Sequence, residues 1–153
     1  MESDRDNLDK FLGTFDNPFK IAIDKGLAKI GDNLVNLCYS LAQFLSYSKI
    51  GGKKVPNKAL AHALRRSVLR RFAGRRRDAH GLADAVEAII GYCWLKGLIS
   101  LEGIVHVLTA SLRGCLHENK TDEDTSTAFM KLLDDLNPLF SSQFNHKESL
   151  KDG

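Results

Sequence analysis

Ile30-Gly31-Asp32-Asn33-Leu34-Val35-Asn36-Leu37-Cys38-Tyr39-Ser40-Leu41-Ala42-Gln43-Phe44-Leu45 is the stretch whose spacing sets the fold class. Its apolar residues at 30, 34, 37, 41, 44 and 45 share one helical face, and Asp32, Asn36, Tyr39 and Gln43 form a second, polar stripe. The pattern predicts a helix over 19–47, opened by Asn17 and Pro18 and closed by Gly51-Gly52. Outward from it, Leu60, Leu64, Val68 and Phe72 predict a basic amphipathic helix over 57–73. Leu82, Val86, Ile89, Ile90, Cys93 and Trp94 predict another over 80–97, with Asp84, Glu87 and Gly91 on a different side. Further helices are expected over 100–116 and 124–136, with Pro138 ending the last and a polar tail fraying over 138–153. No alternating strand pattern longer than four residues survives, so the expectation is an all-α fold in one domain over 1–153.

The totals agree with that reading. A chain of 153 residues, 43% hydrophobic and 27% charged, is long enough to bury a self-sustaining core without disulfides or a structural metal. Cys38, Cys93 and Cys115 form no CxxC pair and sit in apolar stretches, which reads as buried thiols in a reducing compartment. There is no apolar run of the length a bilayer requires and the first residues are acidic, so a cytoplasmic protein is expected. The net charge of +3 conceals a strong separation. Eleven Lys and Arg fall between Lys49 and Arg77 with no Asp or Glu among them, whereas Glu118 to Asp135 holds six acidic residues and two lysines. A polyanionic partner follows from the basic half.

Two carboxylate centres stand out. Asp84 and Glu87, three apart, emerge side by side from one helix in small and apolar company, with no adjacent lysine or arginine on that helix. Asp32 follows Gly31 in mid-helix, where glycine costs about 1 kcal/mol relative to alanine and so signals close approach of a backbone or a ligand. If the two helices pack together, Asp32, Asp84 and Glu87 converge on a site for a hard divalent cation. The histidines at 62, 80, 106, 117 and 146 show no ligand spacing, and Gly51-Gly52-Lys53-Lys54 lacks the pattern of a phosphate loop.

Leu27-Ala28-Lys29-Ile30-Gly31-Asp32-Asn33-Leu34-Val35 resembles the signature helix of the ribonuclease III family. Ala83-Asp84-Ala85-Val86-Glu87-Ala88-Ile89-Ile90-Gly91 resembles its second motif, in the family's order and about 52 residues on, and the similarity spans roughly 18–116. The resemblance implies a homodimeric endoribonuclease that cuts double-stranded RNA with Mg²⁺, or Mn²⁺ in its place, to give 5′-phosphate and 3′-hydroxyl ends. Asp32 and Glu87 match the family's metal-site carboxylates, and Asp84 matches their acidic companion. The main family has Glu four and often seven residues before this Asp, where the chain has Ala28 and Lys25, with Asp24 the nearest upstream carboxylate. The short mini-ribonuclease III branch shares the Leu-Ala-x-apolar-Gly-Asp pattern, and Arg75-Arg76-Arg77-Asp78-Ala79 is similar to its basic loop.

Clustered cations suit the phosphates and 2′-hydroxyls of A-form RNA, which assigns Lys53, Lys54, Arg65, Arg66, Arg70, Arg75, Arg76 and Arg77 to RNA contact. With no second basic domain after 116, binding falls to this domain and a second copy, which the glycine and apolar residues of the signature helix are expected to meet. Two other readings remain open: a non-catalytic ribonuclease III-like binder of structured RNA, and a helical DNA-binding module that lays its arginine helix in a major groove. The natural RNA and any ribosomal or other protein co-factor are not readable from the sequence.

Overall fold

The computed structural model describes residues 3–75, 77–115 and 121–151, with side chains to 145. Its elements are α1 (Asp4–Leu12), α2 (Pro18–Ala22), α3 (Lys25–Tyr47), α4 (Asn57–Arg65), a 3-10 turn (Val68–Phe72), α5 (Ala79–Leu95), α6 (Leu101–Arg113) and α7 (Asp122–Lys151). No strand occurs among the described residues, so the fold is all-α as expected. α5 is the central helix. Its Leu82, Ala83 and every residue from Ala85 to Cys93 are buried, and α3, α4 and α2 pack around it. Such all-round burial explains why α5 lacks the one-sided pattern of a surface helix.

The expected helix over 19–47 is two helices. Asp24 adopts an extended conformation and its Oδ1 accepts from the Leu27 amide at 2.8 Å, so it caps α3 rather than continuing α2. The expected helix over 57–73 also breaks. Ser67 turns extended, its hydroxyl accepts from the Leu69 amide and donates to Asp134 on α7 at 2.9 Å, and a 3-10 turn follows. Helix α1, which the apolar spacing does not signal, is opened by a capping box: the Asp6 amide donates to Ser3 Oγ and the Ser3 amide donates to Asp6 Oδ2.

Helix α7 does not stop at 136 but runs through Pro138 to Lys151. An interior proline costs about 3 kcal/mol. Burying Phe140 and Phe144 against Tyr92, with Phe140 also edge-on to Phe72, offsets it, since each buried Phe contributes roughly 1.5–3 kcal/mol and aromatic pairs add to that. Phe140 and Phe144 therefore belong to the core, and residues 138–145 form a packed helical segment rather than a fraying tail. Cys38 and Cys93 are buried thiols and Cys115 is half-buried. None of the helices described is long and apolar enough to cross a membrane.

Candidate active site

α3 and α5 cross with their backbones in contact. A Cβ on Gly31 would lie 1.8 Å from the Glu87 carbonyl oxygen, and one on Gly91 would meet the Leu27 carbonyl at 3.0 Å and the Gly31 amide at 3.2 Å. The mid-helix glycine is therefore explained by the approach of a backbone, that of α5. Its expected part in a contact with a second copy is corrected, because this space is already filled from within the chain. The crossing places Asp32, next to Gly31, beside Glu87. The two side chains line one cleft, and Glu87 is only 4% exposed.

Around the pair lies a cleft of about 260 Å³ lined by Asp32, Asp84 and Glu87 together with Lys25, Lys29 and Lys54. Burial first, then the hydrogen bond and negative charge of Asp32 and the charge of Asp84, push the Glu87 carboxyl up to about 8 against a small downward pull from Lys54. Asp84 stands apart from the pair in its partners: Lys25 Nζ lies 3.3 Å and His80 Nε2 3.6 Å from its Oδ2. The lysine absent from its own helix thus comes from α3. Among the described residues no group of three or more His, Cys, Asp or Glu is gathered as a metal cage. Asp24 is occupied as a cap and does not line the cleft.

Asn36, one turn after Asp32, is a positioning residue missed as such in the sequence. Its Nδ2 donates to Asp32 Oδ1 at 3.0 Å, and its Oδ1 accepts from the Val55 amide at 2.7 Å. One amide thus orients the carboxylate and ties down the connection that carries Lys54. The i, i+4 relation to Asp32 was the available signal.

The cations assigned to RNA are divided by the fold. Lys54 lines the carboxylate cleft, whereas Lys53 is exposed on the same connection. Arg65 is exposed at the end of α4, and Arg66 donates to Thr127 on α7. Arg70 is half-buried and donates to the carbonyls of Gly74 and Arg75, so it shapes the loop from within. Arg75 and Arg77 line a second cleft, and Arg76 lies outside the described residues. The arginine helix needed for major-groove reading of DNA is not formed: α4 ends at Arg65, and Arg70 and Arg71 belong to the 3-10 turn. Tyr39 and Tyr92 are core residues, Tyr39 sharing a 2.7 Å hydrogen bond with Thr125.

The donor set suits a hard cation. Asp32 and Glu87 offer adjacent carboxylate oxygens, and Mg²⁺ binds through one or two carboxylates while keeping several waters, for which the cleft has room. The three lysines on its rim complement a phosphodiester. A search of curated proteins returns no match. The family model described as Ribonuclease III, however, matches residues 25–141, a span that runs from the start of α3 into α7 and takes in both glycines of the crossing and all three carboxylates. The chain belongs to the ribonuclease III family, a family of RNA endonucleases.

Proposed function

We propose that the protein is a Mg²⁺-dependent endoribonuclease, with Mn²⁺ able to substitute, that cuts double-stranded or structured RNA to 5′-phosphate and 3′-hydroxyl ends during RNA processing in the cytoplasm. The observation that carries the reading is the Gly31–Gly91 crossing, which sets Asp32 against buried Glu87 in a cleft edged by three lysines. Asp32 and Glu87 hold the cation, with Asp84 as acidic companion. When bound, it acidifies water and offsets charge on the transferring phosphoryl group. Asn36 keeps Asp32 turned toward the cleft, and Lys54 and Lys29 hold the phosphodiester against it. Arg65 and Lys53 extend the cationic surface along the RNA, and Arg75 and Arg77 add cations at a second cleft.

In Mg²⁺, the protein is expected to cut an end-labelled RNA duplex and to leave a DNA duplex of the same sequence whole, with no cutting in chelator. Tight binding of the RNA without any cutting would instead support the non-catalytic reading, which the Lys25–Asp84 ion pair favours.

We also propose a homodimer. Ile30, Leu37, Leu41, Phe44 and Leu45 of α3 are between 38% and 50% exposed, and the last three border a cleft of about 610 Å³ against Leu101 and Val105 of α6. Exposed large apolar side chains clustered on one helix mark an interface. Sedimentation is expected to give twice the 17.0 kDa chain mass for the wild type and the chain mass for a Leu41→Lys, Phe44→Asp double variant. A monomeric wild type contradicts the proposal.

A further inference from the structure

A second cleft, of about 440 Å³, opens between α2 and the loop after the 3-10 turn, and shares no lining residue with the carboxylate cleft. Its floor is apolar: Phe19 is 53% and Ile23 60% exposed, and Phe19 sits edge-on to Phe72 with ring centres 5.7 Å apart. Its rim is cationic, carrying Lys20, Arg75 and Arg77, with no carboxylate among the lining residues. Arg77 is fixed to α2 by a 3.3 Å hydrogen bond to the Ala22 carbonyl, and Gly74, with φ +81°, provides the left-handed turn that Arg70 holds in place. Lys20 is paired with Asp16 at 2.8 Å, but both side chains are more than half exposed and such a pair is weak.

Cations alone would suit any phosphate, and the double-helical backbone offers nothing to an exposed phenyl ring. A paired A-form strand keeps its base faces stacked inside, whereas an unpaired nucleotide presents a flat π-face with a phosphate attached. Aromatic side chains beside a basic groove are the recurring solution for such a ligand, because every base can stack. We propose that this cleft binds an unpaired nucleotide of the RNA, with the base on Phe19 and Ile23 and its phosphate between Arg75 and Arg77. The proposal rests on RNA being the ligand, and does not require that it be cut. Arg75 and Arg77 line this cleft and His80, in the first turn of α5 three residues after Arg77, lines the other, so duplexes bearing a bulge, loop or single-stranded extension are selected over blunt ones.

The test is equilibrium binding of the full chain by fluorescence anisotropy, in chelator and at one salt concentration. Three ligands are compared: a blunt RNA duplex, the same duplex with a three-adenosine extension, and the same extension built from abasic nucleotides. The wild type is expected to bind the adenosine form roughly tenfold more tightly than the abasic one. Phe19→Ala removes that preference, Phe19→Trp keeps it, and both bind the blunt duplex like the wild type. Equal binding of adenosine and abasic extensions by the wild type, or a preference that survives Phe19→Ala, overturns the proposal. Cleavage of the blunt duplex in Mg²⁺ is scored separately, so failure of the nuclease reading and failure of this site are distinguishable.

Discussion

Gly31→Ala is expected to cost at least about 3 kcal/mol of unfolding free energy, a large share of what a domain of this size holds. On helix propensity alone the change would gain about 1 kcal/mol. The packing term has the opposite sign and wins, because the new Cβ would lie 1.8 Å from the Glu87 carbonyl oxygen and 2.4 Å from its carbon. Those atoms are helical backbone and cannot swing aside like the end of a side chain. The two helices must separate, which also draws Asp32 away from Glu87. Gly91→Ala provides the internal comparison. Its contacts of 3.0–3.3 Å ask for a shift of a few tenths of an ångström, so a loss of about 1 kcal/mol is expected. Urea unfolding followed by circular dichroism measures both, and a Gly31→Ala midpoint equal to that of the wild type would show that the crossing is not so close.

The same crossing marks how far the sequence could be read. Gly31 next to Asp32, and Gly91 four residues after Glu87, are local patterns, and the helices bearing them were legible because apolar spacing along α3 is regular. Helix ends were less legible. Asp24 and Ser67 look like ordinary polar residues of continuing helices, and only their extended backbones make them caps. Pro138 is a stop signal by local rules, overridden by Phe140 and Phe144 finding Tyr92 across the fold. The partition of the basic run was not legible at all. Whether an arginine faces RNA, a loop carbonyl or α7 depends on where the chain turns after Arg65, and the pairing of Lys25 with Asp84 joins residues on different helices.

Glu87→Gln is expected to stabilise the protein at alkaline pH while abolishing its chemistry. In the unfolded chain this carboxyl ionises near 4.5; in the fold, burial and then Asp32 push it up to about 8. Below 4.5 both states carry the proton and the site has no cost. Between the two values only the unfolded chain releases it, so stability declines by about 1.4 kcal/mol per pH unit, and above the folded value the full cost remains. The whole difference is on the order of 3–5 kcal/mol. Glutamine keeps a donor for Asp32 without titrating. In chelator, urea midpoints of the wild type and Glu87→Gln are therefore expected to coincide near pH 4.5 and to diverge in favour of the variant near pH 9, the reverse of ordinary acid denaturation. Parallel midpoints across that range would mean that Glu87 ionises as readily in the fold as outside it. Added Mg²⁺ should stabilise the wild type and leave the variant nearly unchanged, because a bound cation stabilises only the state that holds it.

Single-turnover cleavage of one RNA duplex in Mg²⁺ at fixed salt, by the wild type, Asp32→Asn and Glu87→Gln, tests the central claim most directly. The expected result is cutting by the wild type and a loss of roughly 10³-fold or more in each variant, with duplex binding in chelator retained by all three. Cutting at the wild-type rate by either variant would place the chemistry elsewhere, and a wild type that binds but never cuts would make Asp32 and Glu87 remnants of a site in an RNA-binding protein.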